Sequence, residues 1–461
     1  MDKVPVWGRV EKTKGRRLQM TADDRLGAIR SNPERYPRWT ESMVNALASM
    51  REQGRKWFQL YDKIADEKTL AAAWHRIDRR TQGEARLRGA GVDGVTVADF
   101  AAHANTQLPA LAEGLKTGAY RPKPVKRQWI PKPGSNKKRP LGLPTVADRV
   151  VQEAARGIIE PIWEEQFLDG SHGFRPGRST DSACLMMEAH LEQGKVWVVD
   201  ADITGCFDNI AHRVVTDLIA RRIADGKVMR LIESMLTAGV MDGLSLNRNS
   251  AGTPQGGVIS PLLCNIVLHE LDTRLEAEDI AWVRYADDFV LLCETREQAE
   301  RARDIAAQAL TPLGLTLSPE KTRIVHLDEG FDFLGWHYKG LQRWPRDKSV
   351  KAFRQKAKAK TRRNRSGSIE AVCAELEPLL RGFFNYFRNG NSTASFNQCI
   401  GWLRRRLRSM LRKRQYGKSG ISTRQEHFVW PNAYFETKGL FDLHAHLVVF
   451  REKQLHPPIR G

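Results

Sequence analysis

Two adjacent carboxylates interrupt an otherwise apolar stretch, Trp282-Val283-Arg284-Tyr285-Ala286-Asp287-Asp288-Phe289-Val290-Leu291-Leu292. The flanking residues are the β-branched and aromatic types that build buried strands, so the stretch predicts a hairpin with the acids at its turn. Neighbouring like charges repel, and holding them against a buried hairpin is expensive unless a cation neutralises them. For an arbitrary Asp-Asp, a solvated Asx turn would be explanation enough. Here a second apolar run, Val196-Trp197-Val198-Val199, also ends in acid, at Asp200 and Asp202. Acids at the ends of two apolar strands predict a divalent-cation site.

Oxygen-rich sites favour Mg²⁺, which keeps several waters and binds substrate phosphates. Two such ions about 3.5–4 Å apart can activate a hydroxyl and stabilise a leaving phosphate oxygen. Asp202, Asp287 and Asp288 supply three carboxylates, enough to bridge two ions. Residues two apart on a strand share a face, so spacing alone leaves Asp200 as a competitor of Asp202.

Other segments stand in a telling order. Arg139-Pro140-Leu141-Gly142-Leu143-Pro144 precedes Asp148-Arg149-Val150-Val151-Gln152, and His172-Gly173-Phe174-Arg175-Pro176-Gly177-Arg178-Ser179 follows. Then come Asp202-Ile203-Thr204-Gly205-Cys206-Phe207-Asp208-Asn209-Ile210 and Thr253-Pro254-Gln255-Gly256-Gly257-Val258-Ile259-Ser260-Pro261. Tyr285-Ala286-Asp287-Asp288, Leu315-Thr316-Leu317-Ser318-Pro319-Glu320-Lys321-Thr322 and Phe333-Leu334-Gly335 complete the series. Across roughly residues 120–340 this succession resembles the blocks of group II intron-encoded reverse transcriptases. Ser318 stands where that family usually has Asn.

The resemblance implies an α+β right-hand polymerase with fingers, a palm of antiparallel sheet plus helices, and a helical thumb or maturase domain. It favours Asp202 over Asp200, making Asp202, Asp287 and Asp288 the catalytic metal ligands, with the Ile203 carbonyl as a further ligand. Two Mg²⁺ ions are implied, with Mn²⁺ as substitute. Lys132 and Arg139 would hold the incoming triphosphate, and Gln255 would support the nucleotide pocket. Phe207 would pack on the sugar and exclude a 2′-hydroxyl. Tyr285, Lys321 and Gly335 would contact primer and template. From the residues alone, Phe207 reads equally as core, Gln255 as a turn residue, and the aromatics of 331–338 as hairpin core.

Charge agrees independently. The formal charge is +20, unevenly placed. Residues 116–139 hold nine Lys/Arg and no acid, and residues 343–418 hold 21 Lys/Arg against four acids, so the rest of the chain is net negative. Such clustering suits a binder of phosphate backbones. The Arg-rich helix around 400–414 offers Arg404, Arg405, Arg408, Arg412 and Lys413 as RNA-binding residues, since phosphate tracking needs cations without sequence reading.

With 41% apolar residues the chain is long enough for more than one domain. No apolar run reaches the roughly 20 residues that span a bilayer, and no signal-peptide pattern opens the sequence. The six cysteines are scattered without a Cys-x-x-Cys pair, which predicts free buried thiols, no zinc site and a reducing cytoplasmic setting; that the cell is bacterial is what the resemblance implies. A zinc-associated endonuclease domain, present in many group II intron proteins, is expected to be missing.

The expected organisation is a flexible basic tail over 1–35, a helical N-terminal extension over 36–115 and fingers over 116–195. A palm over 196–340 follows, then thumb or maturase helices over 341–430 and a short DNA-contacting extension over 431–461. The N-terminal extension reads equally as a template-contacting element or a small packing subdomain. A helix near 146–167 is expected to be core, capped by Thr145 with Asp148.

The expected function is copying of RNA into DNA from a DNA or RNA primer with deoxynucleoside triphosphates. Expected partners are group II intron RNA, a primed RNA template and target DNA, with no membrane, and splicing and retrohoming as the outcomes. Two alternatives stand: a splicing maturase for which polymerisation is incidental, and a domesticated reverse transcriptase in host defence or DNA repair.

Overall fold

The computed structural model describes residues 27, 29–31, 33–131, 138–243, 245–247, 256–417 and 424–455. Most of the expected N-terminal tail, residues 1–26, lies outside them. The described residues fall into two compact units, one through Ile324 and one from Val325 onward.

In the first unit, helix α1 (Glu67–Arg80) starts at Asp66, whose carboxylate accepts from the Lys68 and Thr69 amides. Leu70, Ala73, Trp74 and Ile77 are buried, the spacing of a single apolar stripe. Helix α2 (Val146–Glu164) is capped by the Thr145 hydroxyl, which accepts from the Asp148 amide at 3.1 Å. The Asp148 carboxyl in turn accepts from Tyr120 Oη at 2.7 Å. The expected stripe of Val150, Val151, Ala154, Ile158, Ile159 and Ile162 is buried, as is the opposite, charged face.

That charged face is neutralised residue by residue. Arg76 bonds Glu153 at 2.7 Å, Arg35 bonds Glu160 at 2.7 Å, and Arg175 bonds Glu164 at 2.6 Å. Burial alone would raise the Glu160 carboxyl, but Arg156 and Arg35 hold it below the usual carboxylate range. Removing one member of a buried pair costs about 3–5 kcal/mol, so these pairs fasten α1 and residues 35–36 onto α2. The N-terminal segment therefore shares one apolar core with α2.

The strands here are β1 (Val125–Pro131), β2 (Lys138–Leu143), β3 (Trp197–Asp202), β4 (Val240–Asp242), β5 (Ser245–Asn247), β6 (Ala281–Tyr285) and β7 (Asp288–Cys293), with β8 (Arg323–His326) beginning at the end of this unit. One sheet runs β2-β1-β4-β5 and the other β6-β7-β3-β8. Helices α3 (Ser260–Ala277) and α4 (Arg296–Leu310) bury Leu263, Ile266, Val267, Leu271, Ala299, Ala302 and Ala306 in the same core.

The second unit opens on a three-stranded sheet, β9 (Phe331–Phe333), β10 (Trp336–Lys339) and β11 (Gln342–Pro345), in the order β11-β10-β9. Helices α5 (Asp347–Lys360), α6 (Ile369–Phe387), α7 (Thr393–Tyr416) and α8 (Leu443–Leu455) follow, with short helices at Arg424–Val429 and Asn432–Thr437. Trp336 meets Phe387 of α6 edge-on, ring centroids 4.8 Å apart. This packing explains why the division falls at Ile324 whereas the sequence places the palm boundary at 340. Among the described residues no helix is long and apolar enough to cross a membrane.

Candidate active site

Strand β3 lies antiparallel to β7 with Asp202 opposite Asp288, the last pair of the ladder. Directly opposed residues keep their Cβ atoms about 4.5–5.5 Å apart, so these two acids are neighbours. Strands β6 and β7 pair through Tyr285 and Asp288, leaving Ala286 and Asp287 as a two-residue turn. Ala286 has φ +60°, the left-handed region that costs a residue with a Cβ. Asp287 is half-buried and Asp288 exposed. The buried Cys206 thiol is raised by its contact with Cys264 and by burial, and the Asp287 carboxylate adds to that rise. Asp287 therefore lies within electrostatic reach of the segment that follows Asp202.

Register sets the two β3 acids apart. Asp200 faces Val290 and is ion-paired to Arg323 at 3.2 Å. Asp202 faces the turn, and the Lys321 Nζ lies 2.6 Å from its Oδ2. Lys321 is brought there by backbone bonds from Ser318 N to Asp202 O at 2.7 Å and from Thr204 N to Thr316 O at 2.9 Å. Neither bond uses the Ile203 carbonyl.

Hard oxygen donors opposed across a ladder, with an ammonium resting on one of them, suit a hard divalent cation. Among the described residues no three acid, imidazole or thiol groups converge into a complete ion cage. Asp202 and Asp288 are thus gathered, and Asp287 stands beside them in the turn.

Of the expected nucleotide-binding residues, Lys132 and Gln255 lie outside the described residues. Arg139 is exposed on β2, paired with Ile130 across the hairpin. Phe207 is half-buried against the core, which leaves part of its ring accessible. Beyond Gln255, a Cβ on Gly256 would fall 2.4 Å from the Gly142 carbonyl. The Val258 amide donates to Gln152 Oε1 at 2.7 Å. Gly256 and Val258 thus rest on β2 and α2.

Tyr285, at the end of β6, is half-buried. In the second unit Gly335 has φ +83° and its Cα faces Ser349 and Tyr386. Phe331, Phe333, Trp336 and Tyr338 are buried, so the aromatics of this hairpin form its core.

The basic helix α7 departs from expectation. Arg408 is 1% exposed and donates to Trp430 O at 2.8 Å and Asn432 Oδ1 at 2.7 Å. Arg404 bonds Glu436 at 2.9 Å and also Asp442, while Arg412 pairs with Glu426 at 2.9 Å. Lys413 donates to Asn364, and Arg405 is the exposed member of the five. Their acid partners come later in the chain, so the local helix pattern could not reveal them. Helix α5 instead presents Lys348, Lys351, Lys356 and Lys358 to solvent, with Arg362 and Arg363 just beyond.

Residues 130–338 match the reverse transcriptase (RNA-dependent DNA polymerase) family, and residues 350–428 match the group II intron maturase-specific domain. Protein YkfC of Escherichia coli K12 is 37% identical over 284 residues, covering 53% of this chain and 74% of that protein. The chain belongs to the group II intron reverse transcriptase family. The group II intron-encoded protein LtrA of Lactococcus lactis is 33% identical over 54% of this chain, and the alignment spans 52% of LtrA. An uncharacterised 91 kDa protein in the cob intron of Schizosaccharomyces pombe is 37% identical over 37% of this chain and 21% of that protein. This chain thus carries an RNA-directed DNA polymerase domain followed by a maturase-specific domain, and divalent metal use is general to the first.

Proposed function

We propose that this protein extends a DNA or RNA primer along an RNA template with deoxynucleoside triphosphates, and that it binds group II intron RNA to assist splicing and retrohoming into target DNA. The observation that carries the reading is Asp202 opposite Asp288, with Asp287 in the adjoining turn. These three carboxylates, with the Ile203 carbonyl, would hold two Mg²⁺ ions, for which Mn²⁺ would substitute. Bound there, such ions would supply activation of the primer 3′-hydroxyl and neutralisation of the departing pyrophosphate.

The chain's own residues do the rest. Arg139 and Lys132 hold the triphosphate, the Arg in bidentate fashion. Phe207 fills the space of a 2′-hydroxyl and so favours deoxynucleotides. Gln255, Tyr285 and Gly335 support nucleotide, template and primer. Lys321, an exposed ammonium beside the acids, offers its charge to a primer phosphate. Intron RNA is met by the exposed lysines of α5 and by Arg405, through phosphates and not base edges. A cytoplasmic, nucleic-acid-bound protein of a bacterium fits this set of partners.

The test is Asp287→Ala. Primer extension should vanish while affinity for RNA stays within about twofold, since surface phosphate contacts dominate that affinity. Normal extension by the variant removes the assignment. The maturase-specific match over residues 350–428 favours splicing as a separable activity, so the same variant should still support intron splicing.

A further inference from the structure

Arg284 is the fourth residue of β6, a strand otherwise made of Ala281, Trp282, Val283 and Tyr285, and it is 0% exposed. All five of its N–H donors are engaged. Nε donates to Asp272 Oδ1 at 2.8 Å, and Nη2 donates to Asp272 Oδ2 at 2.5 Å and Ser171 Oγ at 2.8 Å. Nη1 donates to Asn265 Oδ1 at 2.9 Å and to the Ala286 carbonyl at 2.9 Å. An arginine presents five donors in a rigid plane, so these partners are fixed relative to one another.

We infer that Arg284 is a positioning residue for the catalytic turn, acting through the Ala286 carbonyl to set where Asp287 and Asp288 present their carboxylates. A buried arginine needs a carboxylate, and Asp272 alone would meet that need. The bond to Ala286 is additional and falls on the one residue of the turn with a left-handed backbone. Such a conformation persists only where the surroundings hold it. The surroundings here are built for that. The Arg284 amide donates to Gly170 O at 2.8 Å, and the His172 amide donates to Arg284 O at 2.8 Å. The Asn265 amide group, already on Arg284, also donates to Gly173 O at 2.8 Å. A Cβ on Gly173 would fall 2.3 Å from the Ala286 nitrogen. Arg284 thus ties the turn to α3 and to residues 170–173, which close off its inner side.

This inference rests on the polymerase reading, and its test separates the two. The probe is Mn²⁺ alone, titrated into the full-length protein and followed by electron paramagnetic resonance, beside primer extension and hydrogen exchange of the 285–289 amides. Arg284→Lys keeps the charge but loses the planar fork. It should weaken Mn²⁺ binding roughly 10- to 100-fold, as loss of an outer-shell partner does. It should also lower kcat more than it raises KM for the nucleotide, and speed exchange at the turn. Glu153→Gln breaks a buried ion pair of α2 with Arg76 and Arg156, which shares no partner with Arg284, and should lower thermal stability without moving Mn²⁺ affinity. If Arg284→Lys does not fold, Arg284→Met with Asp272→Leu removes both buried charges at similar volume and is read the same way. Unchanged Mn²⁺ binding, kcat and turn exchange in the folded variant overturn the positioning role. A wild-type protein that neither binds Mn²⁺ nor extends primers overturns the polymerase reading beneath it.

Discussion

The ammonium of Lys321 rests 2.6 Å from the Asp202 carboxylate, on the acid we propose as a divalent-ion ligand. Both groups are partly exposed, so the pair contributes little to stability; its importance is in competition. A cation at Asp202 must displace Lys321, and Lys321 is then available to a phosphate. Lys321→Ala should lower the Mg²⁺ concentration for half-maximal extension while weakening primer–template binding, most visibly at low salt. Titrating Mg²⁺ and primer–template separately checks both signs, and a raised Mg²⁺ requirement would contradict the arrangement.

Gly173 touches the turn so closely that a methyl group there must push it. Gly173→Ala should cost about 1–3 kcal/mol of stability through overpacking. Single-turnover extension should fall on the order of 100-fold, the usual effect of displacing a reacting group by an ångström. Thermal unfolding and single-turnover kinetics on one preparation measure both. A stable variant of undiminished rate would mean the turn tolerates displacement.

The lysines of α5 predict a salt signature. Lys348, Lys351 and Lys358 lie along one exposed helical face. Replacing all three with Ala should weaken RNA binding, and the slope of log K against log salt should become shallower by roughly 0.7–0.9 for each phosphate no longer neutralised. Replacing Arg408 instead should chiefly lower the melting temperature, because its guanidinium is buried on Trp430 and Asn432. Filter binding over a salt series distinguishes the two.

Acid sensitivity follows from His172. Burial, then the charges of Arg178, Arg175 and Arg284, push its imidazole down to about 3. Folded, it stays neutral; unfolded, it takes a proton below its ordinary value of 6.5. Its contribution is therefore complete above 6.5 and is lost as pH falls from there towards 3, by at most about 1.4 kcal/mol per pH unit. His190 and His269, also depressed by burial, steepen the loss. Melting temperatures between pH 7.5 and 4.5 should fall, and His172→Asn should flatten that fall. A wild-type melting temperature independent of pH in this window would refute the account.

Much of the site was legible because it is periodic. Apolar runs closed by acids announced β3, β6 and β7, and the spacing of α2 gave its buried stripe. What sets Asp200 apart from Asp202 in the fold is strand register, which no local spacing encodes. The left-handed Ala286 was hidden because nothing in a Tyr-Ala-Asp-Asp string demands it. The partners of Arg284 were hidden because residues 171, 265, 272 and 286 meet only in three dimensions, although an arginine amid Trp282, Val283 and Tyr285 was a visible oddity. Helix α7 misled for a related reason: arginines on a helix look solvent-bound until downstream Glu426, Glu436 and Asp442 fold back upon them.

That fold-back changes how electrical potential is spread over the second unit. Counting positive side chains between 343 and 418 overstates the field available to a nucleic acid, because Arg404 and Arg412 are discharged internally and Arg408 is sheathed by Trp430, Asn432 and Phe435. Cutting the chain before Glu426 would strip those guanidiniums of their cover. The shortened protein would then grip polyanions more tightly and less selectively even as its fold weakened, so strong retention on heparin by such a fragment would be no measure of its native RNA surface.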